Sequence, residues 1–161
     1  MAYEGTGTAT NILTANAAGT LPNFQAPVTF TTGTFTPTIQ IGGSSAGITY
    51  GGRTGEYSII GNVVFYEWAL NLTSKGGLGG QVTLHGFPVT IGSTSAPVAS
   101  INDWYFLNIS GGYNQMVATC VSATTHMIAT QTGSTGASID LDGANLNNNT
   151  GIQFIGFYFT T

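Results

Sequence analysis

From residue 24 onward the chain reads as short runs in which apolar and polar positions alternate. Residues 62–73 show this best. Val64, Tyr66, Trp68, Leu70 and Leu72 fall on one side of an extended backbone, and Val63, Phe65, Glu67, Ala69 and Asn71 on the other, because successive side chains of a strand point to opposite faces. The first set predicts a core face. The second starts apolar and ends polar, so Val63 and Phe65 are expected to meet another layer or another subunit. The turn Ser74-Lys75-Gly76-Gly77-Leu78-Gly79-Gly80 should lead to a strand at 81–84. Further strands are predicted near 88–92, 103–110, 115–122, 125–131 and 137–142. Turn residues interrupt the apolar runs every 8–12 residues or so, a spacing that suits a sandwich or barrel. No segment reads as a convincing helix. The expected fold is all-β, a sandwich or barrel.

The last strand, residues 152–159, is apolar on both sides. Phe154 and Tyr158 point one way, and Ile155, Phe157 and Phe159 the other. A surface strand of a monomeric sandwich carries one polar face, so both faces of this strand are expected to be covered. One cover is the domain core. The other is a neighbouring copy of the chain or a third internal layer, and the copy is favoured because symmetric homo-oligomers are common.

Residues 1–23 contain Ala, Thr, Asn and Gly with few large apolar groups, too few to bury a core. They are read as an extended arm or linker, leaving residues 24–161 as one domain with enough chain for a real core. Charged residues make up 5% of the chain, against roughly 25% in an average soluble domain. Gly, Thr, Ser and Asn take their place, so the surface must be uncharged but polar. Arg53 and Lys75 are the only basic residues and the formal net charge is -4. Two cations cannot neutralise a phosphate backbone, so nucleic acid and anionic membranes are poor partners. No apolar stretch is long enough to cross a bilayer, and the first residues lack the basic start and apolar centre of a secretion signal. Cys120 is the single cysteine, which precludes an internal disulfide. Its apolar neighbours make it a small buried hydrophobe rather than a nucleophile.

Several patterns resemble chemistry without its context. Gly43-Ser44-Ser45-Ala46-Gly47 matches a nucleophile elbow, and Asp103 and His126 follow in hydrolase order. That motif has meaning only on a strand-turn-helix, and here strands surround it, so it reads as a turn. His85 and His126 have no partner at metal-ligand spacing. Asp140 and Asp142 precede Gly143 and read as a strand entering an Asp-Gly turn rather than a calcium loop, which needs more carboxylates. No catalytic residue, metal or cofactor is expected.

Asn102-Asp103-Trp104-Tyr105 and Gly111-Gly112-Tyr113-Asn114-Gln115 are the more informative cluster. Sugars offer apolar C–H faces and rings of hydroxyls, so a glycan site needs an aromatic platform flanked by amides and carboxylates. Trp104, Tyr105 and Tyr113 with Asp103, Asn114 and Gln115 meet that need. Tyr113 is the leading candidate, and Tyr50 with Arg53 in a second turn come next. The alternation at 104–109 also requires one of its two sides to be core.

One stretch carries a family pattern. Thr34-Phe35-Thr36-Pro37, a Gly/Ser turn, Ile48-Thr49-Tyr50, Gly55-Glu56-Tyr57, Ile60-Gly61-Asn62, a long aromatic-rich strand, Leu72-Thr73-Ser74-Lys75-Gly76 and Gly86-Phe87-Pro88 follow in order across residues 33–92. This resembles the antiparallel, jelly-roll-like β-sandwich domain at the C-terminal end of many bacteriophage tail fibres and tailspikes. The resemblance implies a homotrimeric, non-enzymatic tip in the virion tail, joined to other phage tail proteins through its N-terminal region and binding host-surface polysaccharide or lipopolysaccharide. It equally allows a trimerisation or capping domain that touches no receptor, and it transfers no binding residues, since these sit in variable loops. The third class to weigh is a depolymerase or esterase.

Overall fold

A computed structural model describes residues 12–14, 23–25, 30–93, 98–101, 103–108 and 110–160. In chain order the strands are β1 (Ile12–Thr14), β2 (Asn23–Gln25), β3 (Phe30–Phe35), β4 (Thr38–Ile41), β5 (Ile48–Ile60), β6 (Val63–Lys75), β7 (Val82–His85), β8 (Val98–Ser100), β9 (Asp103–Leu107), β10 (Tyr113–Cys120), β11 (His126–Gly133), β12 (Ser138–Asp140) and β13 (Leu146–Phe159). A single 3₁₀ turn, Gly143–Asn145, interrupts them. β1 and β2 pair with each other. The rest of the predicted arm lies outside the described residues.

The other strands form two antiparallel sheets. One runs β3-β5-β6-β13-β9; the other runs β4-β7-β11-β10-β8, with β12 beside β11. β7 pairs with the start of β11 and β12 with its later part, so the two share one edge of that strand. The chain crosses repeatedly between sheets, giving the sandwich that the alternation allows and the jelly-roll-like form that the resemblance implies.

The sheets meet through the predicted faces. Val64, Tyr66, Trp68, Leu70 and Leu72 of β6 are all buried, as are Ile152, Phe154 and Tyr158 of β13. They pack against Ile39, Leu84, Met116, Ala118, Met127 and Ala129 of the facing sheet. Trp68 stacks on Phe154 with ring centres 5.0 Å apart, and Tyr66 meets Phe87 edge-on at 5.0 Å. Each such side chain contributes about 1.5–3 kcal/mol when fully buried. Trp68 Nε1 donates to the His85 carbonyl at 3.1 Å, tying the sheets together beside the stack.

One predicted strand is absent. Residues 88–92 form bends, with only Ile91 bridging to Thr160. Pro88 has no N–H to give a ladder, and the Val89 carbonyl instead accepts the Tyr158 hydroxyl at 2.9 Å. The final strand is longer than predicted because it begins at Leu146. Its outer side chains Ile155, Phe157 and Phe159 are 59%, 49% and 41% exposed.

Candidate functional site

The outer face of the five-stranded sheet carries two adjoining concavities, and register explains both. Gln153 of β13 lies opposite Ala69 of β6 on one side and Asp103 of β9 on the other. Gly151 lies between Asn71 and Tyr105 in the same way. On this face Thr54, Ala69, Asn71, Gln153, Asp103 and Tyr105 therefore come together from four neighbouring strands. They border a shallow trough of about 250 Å³.

The Tyr105 ring takes its place at the trough because Gly151 has no side chain. A Cβ there would stand 2.0 Å from Tyr105 Cζ and 2.2 Å from Cε1, so the Tyr105 ring lies across the glycine backbone. Its hydroxyl donates to Asn71 Oδ1. Gln153 Nε2 donates to Glu67 Oε1 at 3.1 Å and closes the trough on the side toward the second concavity. The result is one aromatic ring surrounded by two amides and the Asp103 carboxylate, all mounted on regular strands. Such a surface can stack on the apolar face of a sugar and hydrogen-bond its hydroxyls.

The second concavity, about 680 Å³, lies further along the same face, with Thr32, Thr34, Glu56, Ser58, Phe65, Glu67, Ile155 and Phe157 around it. Glu56 and Glu67 are direct cross-strand partners. Phe65 and Phe157 are also partners, with ring centres 6.1 Å apart.

The sequence-predicted residues divide into separate groups. Asp103 and Tyr105 lie in the trough. Trp104, between them, turns inward: it pairs with Ile152 and packs on the core. Arg53 borders the trough, but its register partner is the inward-facing Leu70, and its guanidinium lies 4.3 Å from the centre of the Tyr50 ring. The Tyr50 hydroxyl is held by the backbone of Ile39. Tyr113, Asn114 and Gln115 open β10 in the other sheet, at a bulge. Their loop is anchored by the buried Gln131, which accepts the Ser110 N–H at 2.7 Å and donates to Asn145 Oδ1 at 3.2 Å. Asn71 and Gln153 were not among the sequence candidates. Their outward phase is readable from alternation, but their meeting with Tyr105 depends on β13 lying between β6 and β9.

The remaining chemical motifs have structural roles. Ser44 and Ser45 sit in the turn that carries the chain from β4 in one sheet to β5 in the other, where Ile41 and Ser44 exchange backbone hydrogen bonds, and a strand follows rather than a helix. Asp103 lies on the five-stranded sheet and His126 on the other. His126 and His85 are cross-strand partners whose rings stack at 4.9 Å. Burial, and then the neighbouring His126, lower the His85 pKa. Asp142 accepts the N–H groups of Gly80 and Ala144, and Asp140 accepts from Gln81 Nε2 at 2.7 Å. Burial pushes the Cys120 thiol up to about 11. Among the described residues no group of three or more His, Cys, Asp or Glu is placed to hold a metal, and no helix is long and apolar enough to cross a membrane.

No family model and no curated protein matches the chain. Among solved structures it is similar in fold to the crystal structure of the Dettilon tailspike protein, with a TM-score of 0.68 and 21% identity. The match covers 81% of this chain and 24% of the tailspike, so the chain spans about a quarter of that protein's length.

Proposed function

We propose that this chain is the receptor-binding tip of a phage tail fibre or tailspike, attaching the virion to host-surface polysaccharide or lipopolysaccharide without chemistry. The observation that carries the reading is the trough, where the Tyr105 ring lies on Gly151 among Asn71, Asp103 and Gln153. The likeness to a tailspike supports the setting: a homotrimer in the virion tail, joined to other phage tail proteins through its N-terminal region. A ring and amides already fixed on a sheet lose little freedom when a sugar docks. One such site is weak, and copies held together on one tip gain avidity.

The test is a screen of the purified chain against an array of bacterial O-antigen and capsular polysaccharides. The wild-type chain should bind a defined subset, and Tyr105→Ala should weaken that binding about three- to tenfold while remaining folded. No binding across the array, or equal binding by the variant, overturns the reading.

The second reading is a trimerisation or capping domain without receptor contact. The exposed apolar side chains beside the trough favour it. Under that reading no polysaccharide binds, but removing the domain from a longer fibre dissociates the fibre. Catalysis has no part in either reading. Polysaccharide turnover that vanishes with Ser45→Ala or Asp103→Asn would contradict both.

A further inference from the structure

On the outer face of the five-stranded sheet, large apolar side chains gather beside and beyond the Glu56–Glu67 pair: Ile155 stands opposite Glu67, and Phe65 and Phe157 share the next row with Thr32 and Ser58. Phe30 (66% exposed) and Ile60 (43%) are cross-strand partners at one end, and Phe65 (46%) stands with Ile155, Phe157 and Phe159 on the neighbouring central strands. Rings run from Phe65 through Phe157 to Phe159 with centres 6.1 Å apart at each step. We infer that this patch is where a second copy of the chain packs, with the polar trough left open beside it. The inference rests on the reading above only for its homo-oligomeric setting.

Size is the first argument. With about 200 Å² for each large side chain, these six present roughly 600 Å² of accessible apolar surface. A specific interface covers about 800 Å² on each partner, so the patch with a polar rim supplies one side of such a contact. A patch of roughly 600 Å² is at the upper end of what an ordinary monomer exposes, and such patches are often functional.

Position is the second. β6 and β13 are interior strands already paired on both sides, so nothing can add to them edge-on. The occupant must lie face to face on the sheet, as one sheet packs on another.

Charge selects the copy. The patch itself holds no formal charge, so identical faces can approach there without repulsion, although each chain carries -4. Around a symmetry axis every copy presents the same uncharged row to its neighbours. Glu56 and Glu67 set the limit of the contact, since burying an unpaired carboxylate is costly. The Glu67–Gln153 hydrogen bond marks the same boundary, and Asn71, Asp103 and Tyr105 lie beyond it. The patch offers a glycan little, because its rings are tilted or edge-on to one another.

The test is solution mass by light scattering at low and high protein concentration, for the wild-type chain and for Ile155→Asp and Phe157→Asp. Ile139, exposed on the other sheet, supplies the control Ile139→Asp. The wild-type chain and the control should show a small-integer multiple of the chain mass. Both patch variants should fall to the mass of one chain with an unchanged circular dichroism spectrum. A wild-type monomer at both concentrations, or an oligomer surviving both patch charges, overturns the proposal. Should the aspartate variants unfold, maleimide labelling of Ile155→Cys is compared with Ile139→Cys. Slower labelling at 155 supports the contact and equal labelling overturns it. A monomer that binds polysaccharide defeats only this inference, and a patch-dependent oligomer that binds none defeats only the attachment reading.

Discussion

Gly151→Ala should reshape the trough while leaving the sandwich intact. The backbone at Gly151 accepts a Cβ without torsional strain, since its φ lies outside the positive range. The obstruction is the Tyr105 ring, 2.0 Å from the new atom, where carbon atoms need about 3.5 Å. Tyr105 is 41% exposed, so its ring can swing away into solvent. That movement forfeits the hydrogen bond to Asn71, about 0.5–1.5 kcal/mol, and the cross-strand contact, about 0.2–1 kcal/mol. Replacing a strand glycine returns about 0.5–1 kcal/mol. The net destabilisation is therefore about 2 kcal/mol at most. Gly86→Ala is the contrast. Its φ is +98° and a Cβ would lie 2.3 Å from the Thr36 carbonyl oxygen, so only backbone can yield. The left-handed conformation costs about 1–2 kcal/mol and the overpacking about 1–3 kcal/mol more. Urea unfolding of both variants at one fixed protein concentration measures the difference. Polysaccharide binding by Gly151→Ala should match that of Tyr105→Ala. If Gly151→Ala destabilises as much as Gly86→Ala, or binds polysaccharide like the wild type, the account of the ring on its glycine is wrong.

Tyr158 donates to a carbonyl at 2.9 Å, whereas Tyr66 has only Met127 Sδ at 3.5 Å. Tyr158→Phe should therefore cost about 1–3 kcal/mol and Tyr66→Phe within about 0.5 kcal/mol of nothing; urea midpoints in the reverse order would contradict this. Because the folded chain holds His85 neutral, the unfolded chain binds more protons below its ordinary value of 6.5. Stability from this site is complete above that pH and declines as pH falls below it toward and past the lowered folded value. His126→Gln should flatten the decline in Tm over that range, and an unchanged slope would remove the stacked pair as its cause. Cys120, with its thiol pushed up to about 11, should react slowly with maleimide in the native chain and rapidly in urea. Equal rates would show that it is not enclosed.

The legibility of this fold follows the strength of its alternation. β6 spells both its faces along thirteen residues, and its neighbour β13 is recognisable because Phe154 and Tyr158 stand out of phase with Ile155, Phe157 and Phe159. Apolar content alone misleads at residues 88–92, where Pro88 and a side-chain hydrogen bond to Val89 replace the ladder. At the trough, Asp103 and Tyr105 were legible as residue types. Alternation required one side of their strand to be core, and Trp104 is the residue that turns inward. Asn71 and Gln153 were not legible, because sheet order joins residues more than eighty positions apart. Tyr113, the leading candidate in the sequence, lies on the other sheet from Tyr105, because local alternation does not say which sheet a strand joins.

The most direct test of the central claim is nuclear magnetic resonance mapping of the chain with an oligosaccharide from the best-bound polysaccharide of the array. Attachment through the trough predicts shifts concentrated at Asn71, Asp103, Tyr105, Gly151 and Gln153, with Tyr113 and its loop unmoved. Shifts centred on Tyr113, Asn114 and Gln115, or none at saturating sugar, would contradict it.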